Sequence, residues 1–119
     1  MQNITEHFLA ATLWAELDGN DEPFDKNYTI YDVAEESTQA IETECLDFLA
    51  KARALGSEAS ESNLGTDFYL TRQGHGSGFW DKPELYGHKL SQELTTLAKS
   101  YSEIYPEVGD DGKIHILFG

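Results

Sequence analysis

Cysteine is nearly absent from this chain of 119 residues, since Cys45 is the only one. One cysteine excludes an internal disulfide and cannot build a zinc site by itself. Long apolar runs are also missing, because no segment approaches the ~20 apolar residues that cross a bilayer. The first residues lack a basic segment followed by an apolar one, so we expect no signal peptide and a cytoplasmic location.

Basic residues are scarce as well. The chain has 8 lysines and arginines against 22 aspartates and glutamates, which gives a net charge of −14. Direct binding to nucleic acid is disfavoured, because neutralising phosphates needs clustered lysine and arginine. An anionic membrane surface is disfavoured for the same reason. Basic partners are favoured. A charge this large suggests either a functional cause or a saline habitat, since self-repulsion costs stability.

Apolar residues are frequent enough for a folded core. They make up 39% of the chain, and 12% of it is aromatic, which argues against disorder. We expect a single domain over residues 1–119, because neither half could bury a core alone. The charge is unevenly spread: residues 1–65 hold 14 acids and 3 bases, whereas residues 66–119 hold 8 acids and 5 bases.

The first half predicts two helices joined by an acidic loop. Apolar residues recur at helical spacing over residues 4–17 and again over residues 30–55, where Thr29 and Asp32 form a capping-box pattern. The first helix is apolar on most sides, which is typical of a helix that is buried or covered by a partner. Burial in the core and a homodimer joined through this helix are both consistent with the pattern.

The second half predicts strands and a third helix. Aromatic and β-branched residues over 66–71 indicate a strand, residues 79–81 a short returning strand, and residues 83–101 a helix. Residues 104–108 and 113–118 predict a hairpin across Gly109–Gly112, with Pro106 on an edge strand. The expected fold class is α+β, with three helices packed on a small, mainly antiparallel sheet.

A glycine loop (residues 72–81) is the most unusual segment. Alternating glycines can bring backbone N–H groups together into an anion-binding nest, with Arg72 as the anion binder and His75 as an acid–base group. The candidate loop residues are Arg72, Gly74, His75, Gly76, Gly78, Trp80 and Asp81. The alternative is a structural turn whose glycines relieve strain.

Motif tests favour the structural interpretation of this loop. The Walker pattern fails because Phe79 follows Gly78, and a nucleophile elbow fails because His75 and Phe79 flank Ser77 where glycines are required. The four histidines, His7, His75, His88 and His115, lack metal-ligand spacing. We therefore expect no metal and no cofactor, and Cys45 as a small core residue.

The acidic residues of the first half offer a second candidate site. On a long helix, Asp32 to Asp47 would span about 22 Å at 1.5 Å per residue, as a row of carboxylates. Such a row is either a solvated face or a DNA mimic that imitates phosphates in a basic groove. The candidate partner-binding residues are Asp21, Glu22, Asp25, Asp32, Glu35, Glu36, Glu42 and Asp47.

Residues 67–81, DFYLTRQGHGSGFWD, resemble a segment usually written DFWLTRNGHGAGFWD. That segment is associated with small acidic proteins encoded by bacteriophages and other mobile elements. Leu13-Trp14, Thr29–Val33 and Val108–Ile114 are also similar, so the resemblance follows most of the chain in order. Tyr69, Gln73 and Ser77 replace tryptophan, asparagine and alanine. Alanine in the family pattern argues against Ser77 as a nucleophile.

The resemblance implies a phage or mobile-element protein that acts inside a bacterial cell. Small proteins of this kind often inhibit host restriction or CRISPR defence. The leading hypothesis is a non-enzymatic inhibitor, anti-CRISPR or anti-restriction-like, that occupies a basic surface of a host nucleic-acid-binding complex. The alternative is a small enzyme or an anion- or nucleotide-binding module that uses the glycine loop.

Overall fold

The computed structural model describes residues 3–119, in which five α-helices precede a two-stranded antiparallel sheet. The helices are α1 (Asn3–Ala15), α2 (Glu35–Ala54), α3 (Glu61–Arg72), α4 (Pro83–Tyr86) and α5 (His88–Lys99), and the strands are β1 (Ile104–Val108) and β2 (Ile114–Phe118). The predicted α+β class is confirmed, although these residues form five helices where three were expected. Within residues 3–119, none of the helices combines the length and hydropathy that a membrane crossing requires.

Helix α1 is a core helix, as one of the two interpretations of its pattern predicts. Its buried apolar residues are Ile4, Phe8, Leu9, Ala11 and Leu13. The Ile4 N–H, which has no acceptor within the helix, donates to the Glu61 carboxylate at 3.2 Å. The helix ends before Leu17, which forms an isolated antiparallel bridge with Pro23.

Helix α2 begins later than the periodicity predicts. The capping box of Thr29 and Asp32 is present, but it caps a 3₁₀ helix at Ile30–Asp32. Val33 then forms a parallel bridge with Ile114, and the Ala34 N–H donates to the Ile114 carbonyl at 2.8 Å. This pairing with a strand far along the chain keeps residues 33 and 34 extended. The predicted start at Ile30 is therefore wrong.

The predicted strand over residues 66–71 is wrong, because these residues belong to α3. Ser60 caps this helix, since its hydroxyl oxygen accepts the Asn63 N–H at 3.1 Å. Aromatic and β-branched residues normally favour a strand, but here α1, α2 and α5 surround the helix. Phe68, Tyr69 and Thr71 are therefore buried on different sides of α3.

The segment that follows α3 also differs from the prediction. Residues Phe79–Asp81 form a 3₁₀ helix in place of a strand. The predicted helix over 83–101 is divided at Gly87, whose φ of 89° is unfavourable for other residues. The residues after Gly87 are helical as predicted, and this helix contributes to the core, since Leu94 and Ala98 are buried and Leu90 and Leu97 pack against it.

The predicted hairpin is confirmed. Ile104 pairs with Phe118 and Val108 with Ile114 in an antiparallel register, and the Gly109 N–H donates to the Lys113 carbonyl at 2.8 Å. One face is covered by the core, since Ile104, Ile114 and Ile116 are buried. Strand β1 is an edge strand, as Pro106 indicates.

The core is centred on α3, which runs beside α1 in the same direction. Phe68 of α3 stacks on Phe48 of α2 with ring centroids 4.1 Å apart, and its ring is 5.3 Å from that of Phe8 in α1. The two helices approach most closely at Gly65, where a Cβ atom would lie 2.4 Å from the Ile4 carbonyl oxygen. Only glycine permits this approach.

We expect Gly65→Ala to lower the free energy of unfolding by about 1–3 kcal/mol, because the added methyl group overpacks the contact between α1 and α3. Helix propensity alone predicts that Gly65→Ala raises the free energy of unfolding, since alanine is more favourable than glycine by about 1 kcal/mol inside a helix. Urea denaturation followed by circular dichroism measures the difference. Gly19→Ala is the control, because nothing lies within 4 Å of its Cβ position. A stabilised Gly65→Ala variant would contradict the close contact.

Candidate functional site

The glycine loop is folded back onto the end of α3 by its own backbone. The Gly74 N–H donates to the Thr71 carbonyl at 3.1 Å, and the His75 N–H donates to the Leu70 carbonyl at 3.0 Å. Gly74 has a φ of 71°, so it ends the helix in the left-handed conformation that favours glycine. Both amides therefore take part in ending α3.

The second half of the loop is held in the same way. The Gly78 N–H donates to the Asp81 carboxylate at 3.1 Å, and the Phe79 N–H donates to the Thr71 hydroxyl oxygen at 3.0 Å. A Cβ atom at Gly78 would lie 2.2 Å from that oxygen. With Gly74 and His75, four loop amides thus have internal acceptors and are not free to converge on an anion.

Arg72 is enclosed by the core. Its side chain is fully buried, its Nη2 lies 2.5 Å from the Glu44 carboxylate, and its Nε donates to the Ser102 carbonyl at 2.5 Å. Four aromatic rings have centroids 5.3–5.8 Å from the guanidinium carbon, those of Phe8, Phe68, Tyr101 and Phe118. The expected role of Arg72 as an anion binder is therefore corrected: its charge is neutralised inside the protein.

Gln73 joins the loop to the sheet. Its side-chain amide donates to the Ile104 carbonyl and accepts the Ile104 N–H, both at 2.8 Å, as a neighbouring strand would. The same amide nitrogen lies 3.2 Å from the Glu16 carboxylate, which also accepts the Tyr69 hydroxyl. This residue therefore ties the ends of α1 and α3 to β1.

The tip of the loop is more open. His75 is half-buried, with its Nε2 3.4 Å from the Tyr69 hydroxyl oxygen, and Gly76 is exposed with nothing within 4 Å of its Cβ position. Trp80 is 50% exposed. The side chains of His75, Tyr69 and Glu16 form a hydrogen-bonded series. The Arg72 guanidinium, which was expected to act together with His75, does not lie beside this series because it points into the core.

Asp67 forms a buried polar cluster that the sequence pattern did not reveal. Its carboxylate accepts from Lys82 Nζ and from the Tyr86 hydroxyl, each at 2.5 Å. Burial, and then this hydrogen bond, raise the pKa of the Tyr86 phenol. Asp67 is the first residue of the segment 67–81, and its contacts fix the positions of α3 and α4 relative to each other. No sequence signal paired it with Lys82.

Metal and thiol chemistry have no visible site in the described part of the chain. Residues 3–119 contain no group of three or more histidine, cysteine, aspartate or glutamate side chains that could hold a metal ion. Cys45 is fully buried, and this burial raises the pKa of its thiol to about 12. The expectation that Cys45 packs in the core is confirmed.

The predicted acidic residues lie at the surface and form what we call the N-terminal acidic surface. Asp21, Asp25, Glu35, Glu36 and Asp47 are exposed, whereas Glu22, Asp32 and Glu42 are half-buried. Two of them have a lysine beside them, because Lys26 lies 2.6 Å from Glu22 and Lys51 lies 3.0 Å from Asp47. The Tyr101 hydroxyl and then Lys51 hold the pKa of Asp47 below its usual value.

The single row of carboxylates expected along one helix is not formed. Asp32 lies outside α2, where its carboxylate accepts the Thr29 N–H at 2.7 Å. On α2, Glu35 and Glu42 share one side, and Glu36 and Asp47 share another about a third of a turn away, given 3.6 residues per turn. The surface is therefore broad and formed by three segments, a loop, a 3₁₀ turn and α2.

The hairpin adds acidic residues that the sequence analysis did not include. His115 of β2 lies between two carboxylates, with Nε2 3.0 Å from Asp111 and Nδ1 3.6 Å from Glu36. The Lys113 N–H, and then the His115 ring, hold the pKa of Asp111 below its usual value. Pairing of Ala34 with Ile114 brings the start of α2 and the hairpin together, so pattern analysis could not reveal this contact.

We expect Gly78→Ala to destabilise the protein, because its Cβ would lie 2.2 Å from the Thr71 hydroxyl oxygen and would disrupt the bond to Phe79. The loss should be about 1–3 kcal/mol in the free energy of unfolding. Gly76→Ala is the matched control in the same loop and should change stability by less than about 0.5 kcal/mol. Urea denaturation compares them. Equal effects of the two changes would show that Gly78 is not the constrained position.

We also expect stability to fall at alkaline pH through the buried tyrosines. Burial, and then a hydrogen bond to a carboxylate, raise the pKa of Tyr69 and Tyr86. The folded state holds these protons more tightly, so the stabilisation is complete below the ordinary pKa of about 10 and is lost as the pH rises above it.

Urea midpoints measured from about pH 8 to about pH 11 test this expectation. Tyr69→Phe should reduce the alkaline loss, because it removes one of the responsible groups. Tyr31→Phe, at a residue 80% exposed, should follow the parent protein. An identical loss in all three proteins would exclude Tyr69 as a source.

Comparison with known proteins identifies no relative of this chain. The chain matches no protein-family model, no curated protein and no solved structure. The resemblance of residues 67–81 to the phage segment stays a prediction, and the arrangement of the described residues is the basis for a function.

Proposed function

We propose that this chain is a binding protein that occupies a basic surface on a nucleic-acid-binding protein or complex of a bacterial host and so blocks it. The net charge of −14 supports a basic partner, because a surface of one sign steers a partner of the opposite sign toward it. The host and the connection with restriction or CRISPR defence rest on the resemblance of residues 67–81.

The observation that carries the proposal is the exposure of unneutralised carboxylates. Among the described residues, no lysine or arginine lies within 4.0 Å of the carboxylates of Asp21, Asp25, Glu35 or Glu36. Two of the few cations are instead paired with other acids, Arg72 with half-buried Glu44 and Lys82 with buried Asp67. Arg72 and Lys82 are therefore not available to neutralise the N-terminal acidic surface, whose acids remain at least partly exposed.

The shape of this surface favours a broad basic partner over a narrow one. The acids face solvent from a loop, from the turn at Thr29–Asp32 and from two sides of α2, so they do not imitate one strand of phosphates. Charges distributed in this way act mainly by steering association, and salt weakens their effect. We therefore propose occupation of a basic surface without a strict copy of DNA geometry.

The glycine loop supports the alternative function less well. A ligand-binding module there needs free N–H groups and an accessible cation, but four loop amides have internal acceptors and Arg72 is buried. His75 and Trp80 remain accessible. The loop therefore contributes mainly to the architecture, and the acidic surface is the stronger candidate for function.

Neutralising three carboxylates tests the proposal. We expect Asp25→Asn/Glu35→Gln/Glu36→Gln to weaken capture of nucleic-acid-binding proteins from bacterial lysate by about tenfold, and to reduce the salt dependence of binding. Duplex DNA added as a competitor should displace the captured proteins from the parent chain, because both would occupy the same basic surface. Capture is measured by quantitative mass spectrometry at several salt concentrations.

The matched control changes the net charge equally at other places. Glu6→Gln/Glu58→Gln/Glu84→Gln removes three charges outside the N-terminal acidic surface. Glu6 lies on α1, Glu58 lies in the loop that precedes α3, and Glu84 lies on α4. This variant should capture the same proteins as the parent. Equal losses in both variants would show that net charge alone matters, and undiminished capture by the first variant would refute the proposed surface.

A further inference from the structure

The outer face of the hairpin is apolar at its centre and acidic beside it. Tyr105 and Leu117 are directly paired across the strands and are 51% and 49% exposed. Side chains alternate along a strand, so Glu103 and Glu107 lie on the same face, on either side of Tyr105. His115 is the cross-strand partner of Glu107. We call these five residues the hairpin face.

No element of the described chain covers this face. The opposite face of the same two strands carries the buried side chains of Ile104, Ile114 and Ile116, so the sheet has one covered side and one open side. A half-exposed aromatic residue beside a half-exposed leucine, with polar groups around them, has the composition of a protein interface, where an apolar centre is surrounded by a polar rim.

The charge around this face identifies the kind of partner. Residues 103–118 carry four acids, Glu103, Glu107, Asp110 and Asp111, against one base, Lys113. Glu36 of α2 adds a further carboxylate, since it lies 3.6 Å from the His115 ring. A partner that buries Tyr105 and Leu117 must therefore bring positive charge to the rim, because like charges brought together across an interface are costly.

Both edges of the sheet are already engaged, which excludes strand addition as the mode of binding. On β1, the Gln73 amide occupies the N–H and carbonyl of Ile104, and Pro106 has no N–H to donate. On β2, the Ile114 carbonyl accepts the Ala34 N–H, and the Ile116 N–H donates to Ser37. A partner must approach the face of the sheet.

We infer that the hairpin face is a docking surface for a partner protein that presents an apolar side chain between lysines or arginines. The inference rests on the proposed function, and it adds an apolar centre, Tyr105 and Leu117, to the acidic surface proposed there. The contact between Glu36 and His115 makes the hairpin face continuous with the N-terminal acidic surface. Carboxylates steer the basic partner toward the surface. Tyr105 and Leu117 then supply an apolar contact that slows dissociation of the complex.

Two synthetic peptides of equal charge test the inference. One combines lysines with leucines, and the other has serine at every leucine position. Near physiological ionic strength, about 0.15 M, we expect the parent chain to bind the leucine peptide about tenfold more tightly, because salt screens the exposed charges but not the apolar contact. Isothermal titration calorimetry measures both affinities.

Tyr105→Ala/Leu117→Ala should abolish this preference, so that both peptides bind equally. Leu85→Ala is the matched control, because Leu85 lies on α4 and is 49% exposed, as Leu117 is. It should keep the tenfold preference. A preference that survives the double change would overturn the docking surface while the proposed function stands. A parent chain that binds neither peptide at low salt would overturn both.

A measurement on the unchanged protein guards against misfolding of the double variant. In a titration of the parent chain with the leucine peptide, we expect the backbone amide signals of Tyr105, Glu107 and Leu117 to shift, and the serine peptide to shift them less. Unchanged signals at these residues, despite binding of the leucine peptide, would place the contact elsewhere and refute the inference.

Discussion

The buried guanidinium of Arg72 is the interaction on which the arrangement of this fold depends. It connects the end of α3 to Glu44 of α2 and to the Ser102 carbonyl before β1, inside a group of aromatic rings. A buried charge is tolerated only when partners replace the water that it loses. Arg72 therefore requires that three parts of the chain meet at one place, and the aromatic side chains around it exclude solvent from that meeting point.

The segment of residues 67–81 acts as the framework of the molecule. Asp67 holds Lys82 and Tyr86, Thr71 accepts the Phe79 N–H, and Gln73 pairs with Ile104. These polar groups join α3 to the 3₁₀ helix at Phe79–Asp81, to α4 and to β1, which accounts for their concentration in one stretch. An unusual polar and glycine-rich motif can thus reflect architecture, and the surface that we propose as functional consists of less distinctive residues.

The N-terminal acidic surface and the hairpin face become one continuous surface only in three dimensions. The first turn of α2 and the hairpin turn are far apart in sequence, yet the pairing of Ala34 with Ile114 brings them together. Repulsion among so many carboxylates costs stability, which the aromatic core must offset. A surface that costs stability in the free protein is consistent with selection for a cationic partner.

The sequence by itself determined the α+β class, the helical conformation of α1 and α5, and the hairpin, because each depends on local periodicity or turn residues. The tertiary structure alone decided that residues 66–71 are helical, since surrounding helices bury aromatic residues that would otherwise favour a strand. It also decided that Arg72 faces inward and that His115 lies between Glu36 and Asp111. Pairing between distant segments is set by the packing of the whole chain, and a local pattern carries no record of it.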